Sequence, residues 1–243
     1  MNKVILLLII IVAAGGIWYW YDNRGTFVVE EPAPTVQGSP EAVELTLETP
    51  DGTYNLDPAS SSMSWQGSKP LLNNYFDRGA ITVSEGSISV SGGQVTSGRV
   101  VVDMASLQAE HTGRGDAMAN QLTGHLKSDA FFDVEQYPDS LFRLTGLQGR
   151  ADGSYLVSGE LTIKAATNPI SFPATITAED GRITLTATDV QVNRAQYDVR
   201  FGSGSFFDDL GDNLIDDIFT VSFTVVGVLD TSPETSTSPE PEN

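Results

Sequence analysis

The chain has 243 residues, 40% of them hydrophobic and 9% aromatic, and its 32 acidic against 13 basic residues give a formal net charge of −19. A chain this acidic is repelled by phosphate backbones and by anionic lipid headgroups, which argues against a nucleic-acid partner. It contains no cysteine, and this excludes disulfides, thiolate catalysis, zinc–thiolate sites, iron–sulfur clusters and a bacterial lipoprotein anchor.

The first element is an uncharged run from Val4 to Tyr21. A helix of this length is about 27 Å long at ~1.5 Å per residue, enough to cross the hydrocarbon core of a bilayer. The run ends in four aromatic residues, Trp18 to Tyr21, which prefer the headgroup level, and Lys3 precedes it. We therefore predict a transmembrane anchor over residues 1–22, with the short N-terminus in the cytoplasm and the rest of the chain outside.

A cleaved signal peptide is the alternative for this run. Val12-Ala13-Ala14 offers a small-residue cleavage site after a short apolar stretch. Under either interpretation the remainder of the chain is exported, so we expect it on the periplasmic or extracellular side of a cell membrane.

Acidic segments rich in proline flank the rest of the chain. Residues 23–52 are predicted to be a linker, because proline and like charges keep such a segment extended. Within it, the alternation from Val43 to Leu47 allows a short strand. Residues 230–243 are predicted to be a disordered tail on composition. The folded domain is therefore placed at residues 53–229.

Between these ends the sequence alternates apolar and polar residues in short runs, as in β-strands with one buried face. The strands predicted on this basis are 81–84, 87–90, 99–103, 155–163, 174–178, 182–187 and 220–226. Turns are predicted at Glu85-Gly86, Gly92-Gly93 and Glu179-Asp180-Gly181. Eight or more strands at short spacing predict a closed barrel or a sandwich.

Two segments depart from the β pattern. Residues 115–127 carry Met118, Leu122 and Leu126 four positions apart, which predicts one short amphipathic helix. Residues 205–217 are acidic with scattered apolar side chains. They are predicted to form either a helical turn or a flap over one end of a barrel.

Few residues of the kinds that carry chemistry stand in recognisable motifs. Neither His111 nor His125 belongs to a metal-binding motif, and a lone histidine near a helix is more often structural or exposed. The carboxylates between Asp208 and Asp217 lack the spacing of an EF-hand loop, so a solvated acidic face is favoured over a calcium site. No nucleophile, base and orienting group can be assembled. We therefore predict a binding module without catalytic residues, cofactor or metal.

Several longer motifs follow one another along the domain. They are Tyr54-Asn55-Leu56-Asp57-Pro58, Val102-Asp103-Met104-Ala105-Ser106-Leu107, the segment 124–134, Tyr137-Pro138-Asp139-Ser140-Leu141-Phe142, the segment 159–164 and Asn193-Arg194-Ala195-Gln196-Tyr197-Asp198-Val199. In this order they resemble the YceI-like family, over roughly Thr53 to Leu229. The resemblance implies a lipocalin-like antiparallel barrel whose apolar interior holds a polyisoprenoid chain, in an exported protein.

The sequence departs from the family pattern in three places. Ser60-Ser61 stands where the family usually has histidine followed by serine, and Asp77-Arg78 stands where a histidine often precedes the glycine that matches Gly79. Asn193 replaces a common aspartate before Arg194.

The predicted fold is therefore all-β: a lipocalin-like antiparallel β-barrel with one short helix, preceded by an N-terminal transmembrane helix. The expected partner is an isoprenoid lipid, either a quinone or a polyprenyl phosphate, besides the membrane that holds the anchor. The candidate ligand-binding residues are Trp65, Phe76, Phe131, Phe132, Phe142, Phe172, Arg194 and Phe201. The alternative is a surface structural or adhesion module with a filled core and no ligand, and a hollow interior would distinguish the two.

Overall fold

The structure, a computed structural model, describes residues 46–110 and 115–232. The predicted anchor, most of the predicted linker, His111 and most of the predicted tail lie outside these residues. The strands are β1 (Gly52–Leu56), β2 (Ser62–Ser68), β3 (Phe76–Ser91), β4 (Gln94–Ala109), β5 (Asp139–Gly149), β6 (Tyr155–Ile163), β7 (Ala166–Glu179), β8 (Arg182–Asn193) and β9 (Ile218–Leu229), and the α-helix is α1 (Asp116–Lys127).

The strands pair antiparallel, and the sheet closes on itself. Neighbours follow in the order β3, β2, β9, β8, β7, β6, β5, β4, and β4 pairs in turn with β3. Both β1 and β2 lie between β3 and β9, at different heights, so they share one strand position. The nine strands therefore make a barrel with eight positions around its circumference, and a barrel of this size has room for side chains or for one small ligand. Of the two predicted architectures, the barrel is confirmed.

The predicted turn at Glu85-Gly86 is wrong, because β3 runs through it to the hairpin at Gly92-Gly93. A Cβ on Gly86 would lie 2.4 Å from the carbonyl oxygen of Arg99 on the neighbouring strand. Glycine at this position therefore permits a close approach of two strands rather than a turn. The predicted turn at Gly92-Gly93 is confirmed, and the positive φ values of 60° and 72° there suit a tight hairpin.

The other strand predictions locate real strands. The strand predicted over residues 155–163 has these bounds in the structure. The runs at 174–178, 182–187 and 220–226 lie within longer strands: at the C-terminal end of β7, in the N-terminal half of β8 and in the middle of β9. Alternation therefore located these strands correctly, but the predicted runs are shorter than the strands in the structure.

One end of the barrel is closed by an apolar cluster. Tyr54 is fully buried there, with Leu47 and Tyr155 almost as well buried. The hydroxyl of Tyr54 donates to the carbonyl of Pro50 at 2.6 Å, which satisfies its polar atom. The amide of Leu47 donates to the carbonyl of Gly93 at 2.8 Å. The folded domain therefore begins by Leu47, earlier than the predicted boundary at residue 53.

The opposite end carries the long connections between strands. These are the loop from β2 to β3, the segment with α1 between β4 and β5, and the loop from β8 to β9. At the closed end, by contrast, residues 92–93, 150–154 and 180–181 make short turns. The two ends of the barrel thus differ: short turns and the apolar cluster close one end, and the three long connections lie at the other.

The helix α1 confirms the predicted short helix. Leu126 is buried against the barrel, while Met118, at the other end of the same helix face, is 47% exposed. Lys127 Nζ donates to the carbonyl of Ala105 on β4 at 2.6 Å and fixes the C-terminal turn of the helix. Within residues 46–110 and 115–232, no helix has both the length and the apolar character to cross a bilayer.

Candidate functional site

The strands turn every second side chain into the barrel, as extended chains must. On β9 these side chains are Phe219, Val221, Phe223 and Val225, and the other strands contribute mostly valine, leucine, isoleucine and phenylalanine. They do not fill the interior but surround a cavity of about 600 Å³. This volume falls within the range of small-molecule sites, roughly 300–1,000 Å³. The filled core of the alternative interpretation therefore does not describe this barrel.

The cavity is blind at the closed end of the barrel. Ile88, Ile176 and Ile183 form its floor and also pack into the apolar cluster around Tyr54. These side chains carry no polar atom, so a charged or hydrogen-bonding group placed at the floor would lose its hydration without a partner. A ligand with one polar end therefore has to place that end at the opposite side of the cavity.

The cavity opens between α1 and residues 199–217, which we call the mouth loop. Met118 on the helix and Phe201 in the loop both line the cavity, and they are 47% and 45% exposed. His125 on α1 packs edge-on against Phe201, with ring centroids 4.5 Å apart. The two segments thus meet at the rim. Of the two forms predicted for residues 205–217, the helical turn is present, as a short 3-10 helix over Gly211–Asn213.

Polar side chains gather near this opening. Lys69, Asp77, Glu110 and His125 all line the cavity. Lys69 Nζ donates to the carbonyl of Asp212 in the mouth loop at 3.2 Å. The mouth therefore carries both signs of charge, and its lysine is already engaged with the protein.

A single buried arginine holds the mouth loop in place. Arg194 is only 2% exposed. Its Nε donates to the carbonyl of Asp216 at 2.9 Å, and its Nη1 donates to the carbonyls of Val199 and Phe201, each at 2.9 Å. Its Nη2 donates to the carbonyl of Ile215 at 3.0 Å. These carbonyls lie within the first three and the last three residues of the loop, so one side chain joins its two ends.

The charge of Arg194 is balanced by Asp217. Nη2 of the arginine lies 3.2 Å from Oδ1 of this carboxylate, and Ser205 Oγ donates to Oδ2 at 2.6 Å. Burial opposes the ionisation of Asp217, but hydrogen bonds from Ser203 and Ser205, with the charge of Arg194, outweigh it and hold its pKa below 3.8. Burial lowers the pKa of Arg194, while Asp217 and Asp216 favour its charged form. The pair therefore stays ionised at neutral pH.

Most of the predicted ligand-binding residues are brought together by the fold. Those that line the cavity are Trp65, Phe131, Phe132, Phe142, Phe172, Arg194 and Phe201. Phe76 does not line it: its side chain is 43% exposed on the outer face of β3, because its neighbour Asp77 takes the inward position. Arg194 faces the cavity with its guanidinium 5.5 Å from the centroid of the Phe131 ring, while its N–H donors serve the backbone. Contact of these residues with a ligand stays a prediction.

Several lining residues were missed by the sequence reasoning. Phe219 and Phe223 stand four positions apart on β9, with Val221 between them on the same face, and this alternation was the signal that could have found them. Leu144 and Ile170 also line the cavity but look like any other core residue in the sequence. His125 had no signal, because its position depends on how α1 is laid across the end of the barrel.

The acidic residues of the mouth loop do not converge on one point. Asp216 Oδ1 accepts from the amide of Ile218 at 3.0 Å, while Asp217 faces Arg194. In the part of the chain that the structure describes, no three histidine, aspartate or glutamate side chains are arranged to hold a metal ion.

Comparison with known sequences gives matches over most of this domain. A model of the YceI-like domain matches residues 54–227. A UPF0312 protein of Pseudomonas putida is 30% identical over 110 residues, which are 44% of this chain and 53% of that protein. A UPF0312 protein of Vibrio parahaemolyticus is 26% identical over 135 residues, 55% of this chain and 67% of that protein. The chain thus spans about half the length of the Pseudomonas relative.

Solved structures share the barrel. BcnA of Burkholderia cenocepacia superposes with a TM-score of 0.55 at 22% identity, covering 70% of this chain and 98% of that one. A polyisoprenoid binding domain from Saccharophagus degradans, implicated in plant cell wall breakdown, gives 0.54 at 18% identity, covering 73% and 98%. At these identities the likeness shows the fold alone. Because nearly the whole of each solved chain is matched by part of this one, a domain of this size folds on its own.

Proposed function

This chain belongs to the YceI-like family, and from that premise we propose that it is an exported lipid-binding protein that holds one isoprenoid chain, of a quinone or a polyprenyl phosphate, inside its barrel. The observation that carries the proposal is the apolar cavity of about 600 Å³, blind at one end and open at the other. An isoprenoid lipid has the matching form, one long apolar chain with one polar end. The solved domain of this fold from Saccharophagus degradans is described as polyisoprenoid binding.

Burial of the chain supplies the affinity in this proposal. Each methylene equivalent moved from water into the cavity contributes about 0.8 kcal/mol. Affinity therefore rises with chain length until the chain reaches the floor at Ile88, Ile176 and Ile183. Mostly apolar walls suit binding of this kind and offer few groups for acid–base chemistry, so we propose a binding role rather than catalysis.

The headgroup lies at the mouth, and a neutral quinone fits it better than a pyrophosphate. Arg78 lies 3.5 Å from Glu110, Arg200 is paired with Asp198, and Arg194 holds the mouth loop. Each of these arginines is already engaged by protein oxygens. The net charge of −19 further disfavours an anionic headgroup.

A membrane tether is the second part of the proposal. The apolar run ending in Tyr21 supports an anchor that leaves the barrel on the periplasmic or extracellular side. The described chain enters the barrel at the closed end, near Leu47.

The tether is tested by washing membranes with alkaline carbonate. An anchored protein stays in the pellet. Release into the soluble fraction with a new N-terminus near Gly15 would show a cleaved signal peptide instead.

The ligand is tested by extracting the purified full chain with organic solvent and identifying the extract by mass spectrometry. We expect one isoprenoid lipid in near-stoichiometric amount. The test variant is Leu144→Trp, which places a bulky ring in the cavity and should remove the lipid. Its matched control is Arg143→Trp, which places the same ring on the outer face and should retain the lipid. A wild-type extract with no lipid, or with bulk phospholipid at the same level in all three proteins, would contradict the proposal.

A further inference from the structure

The large apolar side chains that remain exposed gather at one end of the barrel. Among the described residues they are Leu71, Phe76, Met118, Phe201, Phe206, Phe207 and Ile218, with exposed fractions from 37% to 59%. They come from the loop between β2 and β3, the start of β3, α1, the mouth loop and the start of β9. All of these segments lie at the open end, so the side chains form a ring around the mouth, which we call the open-end ring.

The walls of the barrel differ from this ring. On β7, for example, the exposed outward positions are taken by residues such as Thr175 and Thr177. Exposed apolar side chains scattered over a surface need no explanation, but a contiguous group marks an interaction site. The ring is continuous with the cavity, because Met118 and Phe201 belong to both.

We propose that the open-end ring is a docking surface for a zwitterionic phospholipid bilayer, and that it seats the mouth among the headgroups. Leucine, methionine and phenylalanine side chains of this kind enter the boundary between headgroups and acyl chains. The isoprenoid chain of a lipid leaving the bilayer would then pass into the cavity without crossing water. This cargo transfer rests on the proposed function, whereas the docking itself rests on the ring.

The charges near the ring favour a bilayer, rather than a second copy of the protein, as its binding partner. Asp208, Asp209 and Asp212 lie exposed in the mouth loop beside Phe207. A symmetric dimer pairs the same patch from both copies, so it would set these carboxylates against each other. A zwitterionic surface carries no net charge to repel them, whereas an anionic surface does.

The undescribed ends of the chain begin far from the ring. The described chain enters at the closed end, where Leu47 packs on the floor cluster. It leaves at the same end, where Leu229 pairs with Tyr54 and Asp230 donates its amide to the carbonyl of Thr53 at 2.8 Å. Neither terminal segment starts beside the mouth, which favours an occupant outside the chain.

The test is flotation of the lipid-free domain, residues 46–232, with phosphatidylcholine vesicles. Leu71 and Phe207 are the two most exposed members of the ring, at 59% and 51%, and neither lines the cavity. We expect Leu71→Ser with Phe207→Ser to weaken vesicle binding roughly tenfold or more, through loss of buried apolar area. Calorimetric binding of a short-chain quinone should stay unchanged. If the double variant does not fold, as judged by circular dichroism, each single variant carries the same test.

The matched control moves the apolar surface instead of removing it. Thr175→Phe and Thr177→Phe, added to the double variant, place aromatic rings on the barrel wall, where β-strands accept them. We expect this protein to remain unbound. Phosphatidylglycerol vesicles should bind the wild-type domain less than phosphatidylcholine vesicles. Brominated acyl chains should quench Trp65, the single tryptophan of residues 46–232, because it lies at the mouth.

Three results would overturn the proposal. The first is a wild-type domain that does not float with phosphatidylcholine vesicles. The second is vesicle binding restored to the double variant by Thr175→Phe and Thr177→Phe. The third is a wild-type dimer that becomes monomeric in the Leu71→Ser and Phe207→Ser variant, which would make a second copy the occupant. Absence of quinone binding with normal flotation would remove the proposed cargo and leave the docking surface intact.

Discussion

Replacing Phe142 by alanine removes a ring that lies between the barrel wall and the cavity. Phe142 lines the cavity, and its ring centroid lies 5.8 Å from that of Phe172. Emptying a fully buried phenylalanine site costs about 3–5 kcal/mol. Phe142 is only half-buried, because part of its ring faces the cavity. Some of the contacts that alanine would lose are therefore absent already, and we expect a loss of about 2–3 kcal/mol.

Urea denaturation of residues 46–232 measures this loss, with Phe76→Ala as the matched control. At a slope of about 2 kcal/mol per M, the midpoint for Phe142→Ala should fall by roughly 1 M. Phe76 is 43% exposed on the outer face of the same barrel, so its replacement should cost less than about 1 kcal/mol. An unchanged midpoint for Phe142→Ala, or equal shifts for both variants, would refute the placement of Phe142 in a packed wall.

Three further predictions concern the cavity, the wall and the mouth loop. Leu144→Trp should weaken quinone binding in calorimetry by roughly two orders of magnitude, because about four displaced methylene equivalents cost ~0.8 kcal/mol each, while Arg143→Trp should not. Gly159→Ala should lower the urea midpoint more than Gly146→Ala, because its Cβ would lie 2.5 Å from the carbonyl oxygen of Arg143, whereas the nearest atom to a Cβ at Gly146 is 3.9 Å away. The lowered pKa of Asp217 means that its ion pair stabilises the mouth loop above pH 3.8 and that this contribution is lost as pH falls further. Hydrogen exchange of residues 199–217, corrected for intrinsic rates, should therefore rise only in acid, and Asp217→Asn should remove that dependence.

The strands were predictable where one face is buried, because apolar and polar residues then alternate along the sequence. The run from Thr220 to Val226 alternates because one face meets the interior, and it lies within β9. The error at Glu85-Gly86 has the opposite cause, since glycine between two apolar runs fits both a turn and a close approach of strands. Distinguishing them requires knowledge of the strand opposite, here the carbonyl of Arg99. That information is not local in the sequence.

An apolar site inside the barrel was predictable from the sequence, but only some of its residues were. The aromatic residues chosen as candidates do line the cavity, except Phe76, whose outward orientation depends on the register of β3. Arg194 was chosen as a cation for a headgroup, yet its partners Val199 and Ile215 lie at the two ends of a loop. The folding of that loop back on itself, and hence the role of Arg194, depends on tertiary structure.

Calorimetric titration of the lipid-free domain, residues 46–232, with quinones of increasing isoprenoid length tests the central claim most directly. Trp65 fluorescence follows the same titration, since this tryptophan lines the mouth. The account predicts that affinity rises with each added isoprenoid unit until the chain reaches the floor at Ile183 and then stays constant. No heat and no change in fluorescence at any chain length, in protein shown to be folded and free of lipid, would contradict it.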